Sequence, residues 1–238
     1  MDKGIEMLKY ADGGGFHENH NDSLARLLAR YRHAREYFIG QAIINGRRLY
    51  DAGVTEINPA IWDNILQTRP NGLYIKTWDD ILSLGIKCFG TCEPDRWRAD
   101  DNHFAKCVLL LDEFTEEKAL KAYRDGNFFG KLHSDDVLRF IEVEYTETGV
   151  YAKASEDCVK MHVITDKGRV LSSDSDEIEY TYPTLNDNPD LVYCRVEALS
   201  NSDIIFAQPA MYMDEQEVSA RGRGQRNIKK KLMLFNEL

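Results

Sequence analysis

Trp78-Asp79-Asp80-Ile81-Leu82-Ser83-Leu84-Gly85 leads into Ile86-Lys87-Cys88-Phe89-Gly90-Thr91-Cys92-Glu93-Pro94-Asp95, and Cys107-Val108-Leu109-Leu110-Leu111 precedes Thr115-Glu116-Glu117-Lys118 and Gly126-Asn127-Phe128-Phe129. The spacing predicts a helix over about 77–84 that Gly85 stops, a strand over 86–90, a polar loop, and an apolar strand at 107–111 suited to burial on both faces. A further helix opens at Thr115, its cap. Helix and strand in alternation is how the closing units of a βα barrel are written, and such barrels carry their chemistry at the carboxyl ends of their strands.

Upstream, Asn21-Asp22-Ser23 is a cap cluster, and Leu24, Leu27, Leu28, Tyr31, Ala34, Phe38, Ala42 and Leu49 recur at the three-and-four spacing of an amphipathic helix. Gly40 and Gly46 predict a bend in it. Val54-Thr55-Glu56-Ile57-Asn58 reads as a short strand ended by Pro59. Downstream the period becomes two: Ile141, Val143 and Tyr145 alternate with Glu142 and Glu144, as do Val159, Met161 and Val163 with Lys160 and His162, and Ile178, Tyr180 and Tyr182 with Glu179 and Thr181. Val192 to Ala198 and Ile204 to Ala207 add strands, and Asp166-Lys167-Gly168 is a hairpin turn. The expected fold is α/β plus β: a partial βα barrel over 1–134, a small antiparallel β-sandwich over 135–213, and a polar then basic tail over 214–238 carrying Arg221, Arg223, Arg226 and Lys229 to Lys231.

Composition narrows the function classes. A formal net charge of −10 over 238 residues disfavours nucleic acid as a partner, since phosphate binding needs a basic surface. No apolar run approaches the length of a membrane span. The start, Met1-Asp2-Lys3-Gly4-Ile5-Glu6, lacks the features of a signal peptide, and five cysteines without a C-x-x-C pair fit a reduced, cytoplasmic protein. Gly13-Gly14-Gly15 lacks the lysine of a phosphate loop, and no G-x-S-x-G elbow is present.

Several motifs in order resemble the polymerase and histidinol phosphatase (PHP) superfamily of metal-dependent hydrolases, in the branch with an Ig-like carboxyl-terminal β domain. Trp78 to Leu82 with Gly85 is similar to its W-D-x-L-L-x-x-G, Gly90 to Trp97 to its G-x-x-x-D-D-x-H, and Gly126 to Phe129 to its G-R-F-Y. Tyr193-Cys194-Arg195-Val196-Glu197 and Ala207-Gln208-Pro209 are similar to its Y-V-R-V-E and N-P-I. The resemblance implies a distorted βα barrel with divalent metals (zinc, manganese or iron) at its rim, hydrolysing phosphoesters or other esters with a metal-activated water; imidazoles suit such metals and paired cations stabilise attacking and leaving oxygens.

On that resemblance the metal candidates are His20, in place of a His-Pro histidine, and Asp95, at the rim aspartate; His103 would replace the histidine missing at Trp97, and Glu56 and His17 are weaker candidates. The amino-terminal H-x-H motif has no counterpart, since His17-Glu18-Asn19-His20 has a different spacing. The expected function is a metal-dependent phosphoesterase homologue, truncated or with an incomplete metal site, corresponding to the later half of a longer hydrolase. The alternative is a non-catalytic interaction or regulatory module with no cofactor. Open strand edges predict association with a second copy or a complementary chain.

Overall fold

The computed structural model describes residues 7, 15–19, 23–95, 104–133 and 137–222. A first unit holds β1 (Phe16–Glu18), α1 (Leu24–His33), β2 (Phe38–Asn45), α2 (Gly46–Asp51), α3 (Pro59–Thr68), α4 (Ile75–Leu82) and β3 (Phe89–Glu93). Its strands form a parallel sheet in the order β1-β2-β3, with Gly40 paired to both His17 and Phe89. Ser23 caps α1, Asn45 caps α2, and Asn58 caps α3 with Pro59 in its first turn, where the missing N–H costs nothing. On α4, Ile75, Trp78, Ile81 and Leu82 form the buried stripe at helical spacing.

The rest of the chain is almost all antiparallel. β4 (Phe104–Leu109), α5 (Glu116–Asp125) and β5 (Phe128–His133) are followed by β6 (Phe140–Tyr145), β7 (Gly149–Ala154), β8 (Lys160–Thr165), β9 (Gly168–Ser173) and β10 (Glu177–Thr181). The small pair β11 (Thr184–Leu185) and β12 (Asn188–Pro189) leads to β13 (Tyr193–Leu199), β14 (Ile204–Phe206), β15 (Ala210–Met211) and the short helix α6 (Glu215–Ala220). A seven-stranded sheet runs β4-β5-β14-β13-β8-β9, with β15 also on β13, and a three-stranded sheet runs β10-β7-β6.

The expected partial barrel is therefore corrected: the structure is mostly β, and among the described residues there is no βα barrel arrangement. The deciding contact is between β4 and β5, which pair antiparallel through Cys107↔Gly130 and Val108↔Phe129, so α5 links antiparallel neighbours instead of crossing over between parallel ones. β5 then continues through β14 into the large sheet. Local readings shift with this. The helix expected through residue 49 ends at His33, and Phe38–Asn45 is the central parallel strand. The strand expected at 54–58 is an irregular lead into α3, and β4 is only half buried along 106–109.

β13 shows how the layers are held. All seven of its residues are buried because both faces are covered. Tyr193 and Leu199 face the first unit, in one core with Trp62, Trp78, Ile81 and Phe206. Cys194, Val196 and Ala198 face the three-stranded sheet, packing with Val150, Ala152, Ile178 and Met161. The parallel sheet's β3 edge is met by a side chain: Gln208 Nε2 donates to the Gly90 carbonyl at 2.9 Å, and Gly90 N donates to Gln208 Oε1 at 2.9 Å. The amide thus occupies the position of a neighbouring strand at Gly90, and further along β3 the Cys107 thiol of β4 donates to the Cys92 carbonyl at 3.6 Å.

Candidate functional site at the ends of the parallel strands

In sheets of parallel strands, ligands bind beyond the carboxyl ends, so the ends of β2 and β3 are the first place to look. Asn45 closes β2; its Oδ1 accepts the N–H of Arg48 at 3.0 Å to cap α2, and its Nδ2 donates to Asp95 Oδ2 at 2.8 Å. Asp95 follows β3 in a left-handed backbone conformation, φ 49°. Thr91 donates its hydroxyl to Glu93 Oε1 at 2.9 Å, and His17 Nδ1 stands 3.4 Å from the same hydroxyl oxygen and 3.9 Å from Glu93 Oε1. A line of carboxylate, hydroxyl and imidazole results.

The backbone makes this line available. His17 lies opposite Gly40, where a side chain would collide with the Phe89 carbonyl, so the ring has open sheet to lean across toward Thr91. Tyr123 of α5 covers it, ring centroids 5.8 Å apart. Burial lowers the His17 pKa to about 3, the Phe89 carbonyl opposing the shift, so the imidazole is neutral at pH 7. The Thr91 hydroxyl donates to Glu93, and the direction of its contact with Nδ1 follows the imidazole tautomer, which also sets whether a proton sits on Nε2. That nitrogen is buried without a well-directed hydrogen bond. Desolvation raises the Glu93 pKa, with the Thr91 bond opposing and the charge of Asp95 adding to it. Next to His17, Glu18 is buried and bound by Arg30 at 2.7 Å.

A resident divalent metal would need three or more convergent ligands. Among the described residues no group of three His, Cys, Asp or Glu side chains is placed to hold an ion. Glu93 approaches His17 from the Nδ1 side, where the Thr91 hydroxyl already contacts both. The described donors do not fit the expected centre. Of the candidates, His17 lies 3.9 Å from Glu93, and the charge of Asp95 raises the Glu93 pKa. Glu56 is exposed on the lead into α3 and is not part of the group. His20 and His103 lie outside the described residues, as do Trp97 and the basic run from Arg223 to Lys231. His17 lies on β1 with its side chain 11% exposed.

A second polar group lies between α4 and the large sheet. Arg195 Nε and Nη2 donate to the two carboxylate oxygens of Asp79 at 2.8 and 3.0 Å, and Nη1 donates to Glu197 Oε2 at 3.1 Å. Glu197 Oε1 also accepts from His162 Nδ1 at 2.9 Å and Trp62 Nε1 at 3.2 Å, while Tyr193 donates its hydroxyl to Asp79 at 3.0 Å. Arg195, Glu197 and His162 are each no more than 2% exposed, and the network meets solvent at Asp79, whose side chain is 28% exposed. It fixes α4 and α3 to the sheet. The sequence carried its signal, two charged residues at alternate positions of an otherwise apolar strand, but not its partners.

Burial would raise the Glu197 pKa, yet the bond from His162 and the charges of Arg195 and His162 outweigh it and hold the carboxyl at about 2. The ordinary value, 4.5, is the unfolded reference, so this stabilisation is complete above pH 4.5 and is lost as pH falls through about 2. Urea titrations are expected to show the unfolding free energy of the wild type falling by up to about 1.4 kcal/mol per pH unit across that window, and a shallower slope in Glu197→Gln. Equal slopes would remove Glu197 as the source.

No family model, curated protein or solved structure matches the chain.

Proposed function

We propose that the chain is a binding module whose described polar residues hold the fold together and leave ligand recognition to its surface. The observation that carries this reading is that the acids and the imidazole near the strand ends are each engaged within the protein: Glu93 by Thr91, Asp95 by Asn45, Glu18 by Arg30, and His17 by Thr91. A pKa of about 3 also makes His17 a poor proton acceptor for catalysis at neutral pH. Five unpaired thiols accord with a reducing cytoplasm. Association with another chain belongs to the same reading, and no helix among the described residues is long and apolar enough to cross a membrane.

The hydrolase reading drawn from the PHP-like motifs is the second. It is favoured by His17, an imidazole that is neutral above about pH 3 and whose buried Nε2 has no well-directed hydrogen bond. The two are separated by assaying p-nitrophenyl phosphate and p-nitrophenyl acetate with added zinc, manganese or iron. The module reading expects wild type, His17→Gln and Asp95→Asn to match the metal-and-buffer blank. Turnover more than about tenfold above blank, falling as far in either variant, sinks it.

A further inference from the structure

Where the β3 edge of the parallel sheet passes β4 of the large sheet, two cysteines meet. Cys107 of β4 donates its thiol to the Cys92 carbonyl of β3 at 3.6 Å. Gly130 lies opposite Cys107 in the β4–β5 ladder, so a side chain on it would stand beside that of Cys107 on the same face of the sheet. The Cys92 thiol takes that place: a Cβ on Gly130 would be 2.6 Å from the Cys92 sulfur and 3.5 Å from its Cβ. The backbone N–H of Lys131 bonds to the same sulfur. Of the charges that bear on Cys92, a thiolate at Cys107 is the largest, ahead of Asp203 and Glu93.

The other three cysteines are placed differently. The Cys88 and Cys158 thiols turn to the Phe89 and Lys160 carbonyls, and Cys194 packs in the core between the large sheet and the three-stranded sheet. Cys107 is half-buried and Cys92 is 2% exposed, so an oxidant reaches Cys107 first and Cys92 stands behind it. To close a bridge, Cys107 gives up its bond to the carbonyl and turns toward the space over Gly130. The bond would join the last turn of chain in β3, just before Glu93 and Asp95, to the edge of the large sheet. It would make covalent a contact that the Gln208 amide and one thiol hydrogen bond otherwise hold.

We propose that Cys92 and Cys107 are a redox pair: a peroxide joins them in a disulfide that fastens β3 to β4, and a thiol reductant releases it. The proposal does not depend on what the chain binds. In the first step the Cys107 thiolate attacks one peroxide oxygen, the O–O bond breaks, and a sulfenic acid and hydroxide form, the hydroxide taking up the proton that Cys107 lost. The Cys92 sulfur then attacks the Cys107 sulfur, the S–O bond breaks, and water leaves with the Cys92 proton. Two thiols lose two electrons, and one hydrogen peroxide becomes two waters. Burial pushes the Cys107 thiol up to about 12 and raises Cys92 well above its ordinary value, so the reaction is slow at neutral pH and a long incubation is needed. The test is incubation of the folded full chain with about 1 mM hydrogen peroxide, an acid quench, alkylation of the remaining thiols in denaturant, and peptide mapping by mass spectrometry. A Cys92–Cys107 linked peptide is expected at least about tenfold above any other cysteine pair, with a thermal midpoint about 5–10 °C higher that dithiothreitol reverses. Cys107→Ser is expected to remove both the peptide and the rise, and Cys158→Ser to keep them. Absence of the linked peptide in the folded wild type, equal yield of bridges to Cys88, Cys158 or Cys194, or a midpoint that does not rise overturns the proposal.

Discussion

Arg195→Met is expected to lower the unfolding free energy by about 3–5 kcal/mol, the range for removing one partner from a buried ionic group. The guanidinium gives two hydrogen bonds to Asp79 and one to Glu197, and burial opposes its charge less than Asp79 and Glu197 favour it, so its pKa is raised. Without it, Glu197 remains 2% exposed with His162 and Trp62 as its only described donors, and Asp79 keeps Tyr193. Most of the loss therefore comes from the stranded carboxylate. Arg195→Met/Glu197→Leu is accordingly expected to recover part of the stability, because it removes the stranded buried carboxylate and leaves only Asp79, which is partly exposed and keeps Tyr193. Urea denaturation of the two variants checks this. A loss below about 1 kcal/mol in the single variant would show that the network contributes little.

How far this fold could be read from the sequence depends on which signals are local. The period-two segments at 141–145, 159–163 and 178–182 fall on β6, β8 and β10, because alternation is set by the pleat of each strand on its own. The turn at Asp166-Lys167-Gly168 joins β8 to β9 with Thr165 opposite Gly168, again a local matter of positive φ. Strand direction is different. Nothing in Cys107 to Leu111 or in Phe128-Phe129 says whether they run together or opposed, and a helix between them favours the parallel reading by default. Residues 38–45 failed for another reason: Ala34, Phe38 and Ala42 satisfy a helical spacing of four and a strand spacing of two at once, and the β-branched Ile39, Ile43 and Ile44 were the better guide. At the candidate site Asp95 was visible as an acid after a strand. Thr91, Glu93 and Asn45 were not, because their role comes from β1 and β2 lying beside β3, a pairing between residues distant in the chain. The network around Arg195 was hidden the same way, since Asp79 is 116 positions from it.

Trp78→Ala is expected to cost about 3–5 kcal/mol, as for other large aromatic truncations in a closed core. The indole is fully buried, its Nε1–H donates to the Cys88 carbonyl at 2.8 Å, and the Arg195 guanidinium stands 4.8 Å over the ring. One residue thus ties α4 to the start of β3 and covers the charged network from the helix side. Trp78→Phe separates these roles: it keeps most of the apolar contact, removes the hydrogen bond, and weakens the cation–π contact, for an expected loss of about 1–2 kcal/mol. Gly90 supplies a reciprocal test. A Cβ there would stand 2.8 and 2.9 Å from the Cζ2 and Cε2 atoms of the indole, and 2.9 Å from Ile43. Gly90→Ala is therefore expected to destabilise the wild type, and to cost less in a Trp78→Phe background, where those two indole atoms are gone. Denaturation midpoints of the four proteins give the coupling directly. If the cost of Gly90→Ala is the same in both backgrounds, the collision is with Ile43 and the sheet, and Trp78 does not set the spacing between α4 and β3.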